Sequence, residues 1–253
     1  MELAVIRNNE AVVSKTGEDE IYAVFNGTYE SGDMIRFIPG ESGFYVIELG
    51  LGKNLLYSTG ESFDFPVPFG EKKYAYPEYS FTGTRHYLFA RKAFDFELGY
   101  RNVSENIYDH AGNASLFPHS KANIETRGES VFASRNAFDG VVASSGHGIW
   151  PYASWGINRD PKAELYLDFG RTITLDRIVF YTRADFPHDA WWTEATVEFD
   201  DGTEEVFNLV KKDGPQVFAV EPRTVSSLTL RDLIKSDDPS PFPALIQLVV
   251  YGK

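Results

Sequence analysis

Apolar and polar positions alternate in short bursts along this chain and never settle into a helical period. Glu20–Phe25 (EIYAVF), Met34–Ile38 (MIRFI) and Phe44–Leu49 (FYVIEL) are β-branched or aromatic at every second place, the period of a strand with one buried face. Between them stand turn formers: Asn26-Gly27, Ser31-Gly32-Asp33 and Pro39-Gly40. Leu55–Ser58, Phe63–Pro68, Arg85–Ala90 and Phe94–Leu98 extend the series. Prolines keep Phe63–Pro68 at a sheet margin. Strands at this spacing predict a β-sandwich over residues 1–100.

The pattern then breaks. Residues 101–121 (RNVSENIYDHAGNASLFPHSK) are polar and aperiodic and read as a linker, with His110 and His119 solvated. From residue 122 the strand pattern resumes. Ser130–Phe138 suits a short helix or turn before Asp139-Gly140. Ala163–Phe169, Leu175–Thr182, Glu194–Phe199, Glu204–Leu209, Gln216–Val220, Ser226–Leu230 and Ala244–Tyr251 read as strands, and Asp200-Asp201-Gly202 is a hairpin signal. With no crossover helices between them, these strands predict a second antiparallel sandwich over residues 122–253. The expected class is therefore all-β, with two sandwich domains.

Composition narrows the function classes. The 253 residues carry a net charge of −13, 15% aromatic side chains and no cysteine. Such acidity repels phosphate backbones and argues against nucleic acid. Disulfides, thiol nucleophiles and cysteine-bound zinc are excluded. No apolar run reaches the roughly 20 residues that span a bilayer, so no membrane partner is expected. The opening residues show no basic-then-apolar leader, so the expected location is cytoplasmic, or secreted if a leader has been removed.

Four pieces of the second half resemble the discoidin or coagulation-factor C-type family, a group of galactose-binding-like carbohydrate modules. They are Asn136-Ala137-Phe138-Asp139-Gly140, the loop holding Trp150 and Trp155, the strand Glu164–Gly170 (ELYLDFG), and the final strand Leu248–Gly252 (LVVYG). Three further stretches, Tyr181–Trp192 (YTRADFPHDAWW), Asn123–Asp139 and Ser240–Ala244 (SPFPA), are similar to a group of bacterial two-domain carbohydrate-binding proteins. The resemblance implies a jelly-roll sandwich that binds a mono- or oligosaccharide at its loop end, without catalysis. A partner enzyme or a second copy of the chain would complete the assembly. It also implies a structural calcium held by backbone carbonyls, the Asp139 side chain and an acid in the last strand, where this chain has Gln247.

The residue types of two loops suit that ligand. A sugar presents C–H patches that stack on aromatic rings, and hydroxyls that need fixed donors and acceptors. In the first loop, Arg183, Asp185, His188, Asp189 and Trp191 lie within ten residues. Trp191 and Trp192 are adjacent on a strand, so they face opposite ways and one is expected in the core. In the second loop, His147, Trp150 and Tyr152 are the candidates, with Trp155 expected in the core and Asn158 a further candidate. Two rival readings remain open: a protein-interaction module of the same fold, and a small carbohydrate-active hydrolase or lyase using His188 with a neighbouring aspartate. No G-x-S-x-G, H-E-x-x-H, G-x-G-x-x-G or P-loop pattern supports an enzyme.

Overall fold

The computed structural model describes residues 1–144, 150–184 and 190–253. They form an all-β molecule whose helical content is five short 3-10 turns.

The first sandwich is built from β1 (Glu2–Arg7), β2 (Glu10–Thr16), β3 (Glu20–Phe25), β4 (Met34–Ile38), β5 (Gly43–Glu48), β6 (Lys53–Ser58), β7 (Phe63–Pro66) and β8 (His86–Lys92). One sheet runs β2-β1-β4-β7 and the other β6-β5-β8-β3. Strand β3 shows the expected alternation, with Ile21, Ala23 and Phe25 buried and Tyr22 and Val24 exposed. Leu3, Ile35, Phe37, Ile47, Phe65 and Leu88 pack between the sheets. The hairpin β1–β2 lies outside the strand pattern read from the sequence. Its turn is Asn8-Asn9, both residues with positive φ (52° and 66°), a geometry asparagine tolerates better than most side chains. Phe94–Leu98 is not a strand. Asp95–Leu98 is a 3-10 turn closed by Glu97, which accepts from the Phe94 N–H and pairs with Arg91 through both carboxylate oxygens.

Residues 101–122 join the two halves as packed structure. Strand β9 (Arg101–Asn102) pairs with the last strand of the chain. Strand β10 (Leu116–Phe117) extends the second sheet of the first sandwich beside β6, and β11 (His119–Ala122) pairs with the second half. Tyr108 and Leu116 enter the first core and Val103 the second. The polarity that suggests a spacer is used internally. Asn106 Nδ2 donates to the Leu116 and Pro118 carbonyls, and Asp109 accepts from the Ser120 N–H and hydroxyl and faces His119 Nδ1 at 2.7 Å. His119 is therefore 3% exposed rather than solvated, because its partner is a buried carboxylate. Arg101 and Arg171 both stack on Phe44, at 5.2 and 4.8 Å, across the junction.

The second sandwich contains β12 (Trp155–Gly156), β13 (Leu165–Thr182), β14 (Trp192–Phe199), β15 (Glu204–Asn208), β16 (Gln216–Lys235) and β17 (Ala244–Gly252), in the order β12-β17-β13-β16-β14-β15. Strands that read as pairs in the sequence are continuous here. β13 and β16 run 18 and 20 residues, and their register shifts between Asp168 and Ile173 and again near Arg177. Such irregularities let one strand bend and serve both layers. The core holds Trp155, Phe169, Ile178, Phe180, Trp192, Val197, Leu230 and Leu248. Asp200–Gly202 makes the expected β14–β15 hairpin, with Gly202 at φ +81°.

Candidate functional site

A cleft of about 300 Å³ opens at one end of the second sandwich. Three stretches far apart in sequence meet there: Thr126–Phe132, Gly156–Arg159 and Pro241–Ala244, with Arg183 beside them. Gly156 and Ala244 are held opposite one another by the β12–β17 pair. A Cβ on Gly156 would lie 2.7 Å from Thr126 Oγ1 and 3.2 Å from the Phe132 ring, so only glycine fits this wall. The Thr126 hydroxyl in turn accepts from the Asn158 N–H at 2.9 Å. Ile157 to Asp160 forms a tight turn, Asp160 N–H donating to the Ile157 carbonyl, with Asn158 and Arg159 both at positive φ (49° and 62°). Arg127 is also left-handed, at φ 54°. Side chains larger than asparagine rarely adopt that region, and such strain gathers at binding sites.

Two guanidinium–ring stacks line the cleft. Arg159 sits 4.5 Å from the centre of Phe242, whose ring is 42% exposed. Arg127 sits 5.4 Å from Phe132 and pairs with Glu129 through Nε at 2.5 Å and Nη2 at 2.8 Å. The Glu129 carboxylate raises the Arg127 pKa and is itself held below its ordinary value by that contact. The described lining thus combines flat apolar surface with donors that can reach a ligand edge.

The residues anticipated from the sequence have varied positions. Arg183 is 2% exposed; its N–H donates to the Ala244 carbonyl at 2.9 Å and its Nη1 to the Tyr152 carbonyl at 2.8 Å. It ties the loop of Trp150 and Tyr152 to the cleft margin. Trp150 and Tyr152 are half-buried and stand outside the cleft lining. Trp191 is half-buried under Lys211, whose Nζ is 5.1 Å from the ring. Trp192 is a core residue, 1% exposed, as the alternation argument requires, and Trp155 is in the core as well, at 0%. Trp155 Nε1 donates to the Ile124 carbonyl. Asp185, His188, Asp189 and His147 lie outside the described residues. Arg127, Phe132, Arg159 and Phe242 were not singled out by sequence reasoning. The available signal was Phe132, five residues after Arg127, and Phe242 next to Pro241, in segments already notable for their resemblance. A second depression, about 450 Å³, surrounds Met1, Gly17 and Gly40 at the edge of the first sandwich, but neither ring nor guanidinium lines it.

The Asp139 turn tests the calcium expectation. Asn136 O, Asp139 Oδ1 and Ile246 O all lie 2.6–2.8 Å from one atom, the amide nitrogen of Gln247. Gln247 Oε1 accepts from the Gly140 N–H at 3.0 Å. The oxygens a cation would gather are already collected by an NH2 group with two protons, so the set as it stands does not fit calcium, which needs six to eight oxygen ligands. Among the described residues no group of three or more acidic or histidine side chains converges as a metal cluster. Burial pushes the Asp139 carboxyl up to about 6, against the opposing influence of Arg135 at 3.7 Å. Burial raises neighbouring Glu105 as well.

No protein-family model and no curated protein matches the chain. It is similar to several solved structures. Chitosan-binding module 1 of a Paenibacillus sp. IK-5 chitosanase/glucanase is 18% identical over 60% of this chain and 99% of that one, with a TM-score of 0.40. A family 32 carbohydrate-binding module of Clostridium perfringens NanJ, in complex with galactose, is 15% identical over 52% and 91%, with a TM-score of 0.40. A Streptococcus pneumoniae fucose-binding module is 13% identical over 60% and 97%, with a TM-score of 0.43.

Proposed function

We propose that the chain is a non-catalytic carbohydrate-binding protein and that the cleft at the loop end of the second sandwich is its site. The reading rests on one observation: the Phe242 ring, 42% exposed beside the Arg159 guanidinium, with Asn158 on the adjoining turn, in a cleft sized for one or two sugar rings. A pyranose can lay a C–H face on such a ring. Its hydroxyl edge then meets planar guanidinium donors and an amide that offers both donor and acceptor. The similar modules carry chitosan, galactose and fucose in their names; the ligand class for this chain is argued from its own cleft. A shallow, wet site of this kind binds weakly, on the order of millimolar to micromolar.

The test is a saccharide panel titrated by NMR against the wild type and the Phe242→Ala and Asn158→Ala proteins. Saturable binding by the wild type that weakens in both folded variants supports the reading. Binding that survives both substitutions would move the site elsewhere, towards Trp191 and the stretch after Arg183.

A further inference from the structure

We infer that the cleft selects saccharides bearing a carboxylate, with Arg159 as the group that recognises it; the inference rests on the carbohydrate reading and specifies its substrate class. The protein as a whole is strongly acidic, with a net charge of −13. Three arginines, Arg127, Arg159 and Arg183, are among the described residues that line the cleft.

The three arginines differ in what they have left to give. Arg127 is held by Glu129 through two hydrogen bonds. Arg183 is buried and donates to the Tyr152 carbonyl. Arg159 is exposed and stacks on Phe242, and no described carboxylate pairs with it. Stacking fixes the plane of a guanidinium while leaving its N–H edge pointing outward. That edge matches a planar carboxylate with two parallel charge-assisted hydrogen bonds, a geometry ammonium cannot supply. Arg159 also sits at φ 62° in the Ile157–Asp160 turn. The turn sets the direction in which the side chain leaves the backbone, and the contact with Phe242 holds its far end.

A hexuronate fits the two features together. Its C5 carboxylate, at the ring edge, would meet the Arg159 fork, while its C–H face rests against the part of Phe242 that Arg159 leaves exposed. Sulfated sugars share the charge but present a tetrahedral group. The two anions are therefore separate arms of the test.

The experiment titrates the full chain with trigalacturonic acid, with its methyl ester, and with a sulfated galactose trisaccharide. It is repeated with Arg159→Gln, with Arg159→Lys, and with Arg85→Gln as a charge control on the exposed Arg85 of the first sandwich. Thermal melting checks that each variant folds. The expected result is that the acid binds about tenfold more tightly than its ester, the worth of one charge-assisted hydrogen bond at a partly exposed site. Arg159→Gln removes that difference, Arg159→Lys restores only part of it, and Arg85→Gln leaves it intact. The sulfated sugar binds more weakly than the uronate. Equal binding of acid and ester, or a preference untouched by Arg159→Gln, overturns the inference while the carbohydrate reading stands. A stronger preference for the sulfate overturns the carboxylate assignment. Failure of every saccharide to bind overturns the underlying reading as well.

Discussion

Replacing Gln247 with leucine should cost this protein more than an ordinary buried hydrogen bond, because one side chain closes the whole Asp139 turn. Its amide nitrogen, with two protons to give, lies within hydrogen-bond distance of Asn136 O, Asp139 Oδ1 and Ile246 O, and its oxygen takes the Gly140 N–H. Leucine is of similar size, so the cavity contribution is small and the loss is mainly polar. Gly140 is exposed and water can replace its partner. Asp139 cannot recover as easily: it is 8% exposed and would keep only the Val141 N–H at 2.9 Å and Arg135 at 3.7 Å. With two protons the amide nitrogen donates to two of these oxygens at a time, so one bond to a buried charged group, about 1.5–3 kcal/mol, and one to a carbonyl, about 1, give roughly 2.5–4 kcal/mol near pH 7.5.

The pH dependence makes the prediction specific. The Asp139 carboxyl is at about 6 in the folded state against 3.8 as its ordinary value. The folded state therefore binds the extra proton between those limits. The stability this group contributes is fully present below pH 3.8 and is lost as pH rises through 6. The Gln247 hydrogen bond favours the charged form; without it the carboxyl moves higher still. The deficit of Gln247→Leu should be large at pH 7.5 and smaller at pH 5, where Asp139 is mostly protonated. All four tryptophans lie between residues 150 and 192, so urea unfolding followed by fluorescence reports on the second sandwich. A deficit of this size lowers the midpoint by about 1–2 M urea. A deficit below about 1 kcal/mol, the level of an ordinary hydrogen bond, or one equal at both pH values, would refute the reasoning.

Two further predictions test neighbouring parts of the argument. Gln247→Glu removes the donors and sets a second carboxylate beside Asp139, so the variant should unfold more easily than wild type and regain stability in millimolar calcium, while wild type shows no calcium response in the same melts; an equal response in wild type would mean that the amide does not stand in for a cation. Tyr108→Phe strips a fully buried hydroxyl that accepts from the Leu49 and Leu51 N–H groups and donates to the Gly52 carbonyl; a loss of about 2–4 kcal/mol should lower Tm by roughly 5–10 °C in calorimetry, and an unchanged Tm would show that the junction does not depend on this tie.

What the sequence shows and what it hides follow from the range of the interactions. Strand β3 is legible because one face is buried, and burial writes a period of two into its residues. Strand β2 is not, because six of its seven residues are exposed and nothing compels alternation; its turn also lacks the glycine that usually marks a hairpin. Residues 101–121 look like a spacer because their polar side chains serve the backbone of the same segment, and composition alone cannot separate polar groups facing water from polar groups facing carbonyls. Phe94–Leu98 has strand-like residues, but Glu97 finds Arg91 and the Phe94 N–H within one turn, and that local pairing decides the backbone.

The same distinction governs the site. Arg183 is conspicuous by residue type, yet type does not reveal burial, and the fold assigns it to hold the Tyr152 carbonyl. Arg159 and Phe242 are unremarkable in their own segments and meet only because β12 pairs with β17. A recognition surface assembled from residues this far apart has no local signature beyond its component types. Its strongest trace is the meeting of Arg159 with Phe242, which emerges only after the strands have brought the segments together. That meeting ties the fold to the proposed ligand: the β12–β17 register brings ring and turn together, and the turn carries the guanidinium proposed to meet a ligand carboxylate. A change at the turn should therefore alter anion preference, whereas one in the β12–β17 pair, which carries the fully buried Trp155 and Leu245, should cost stability as well.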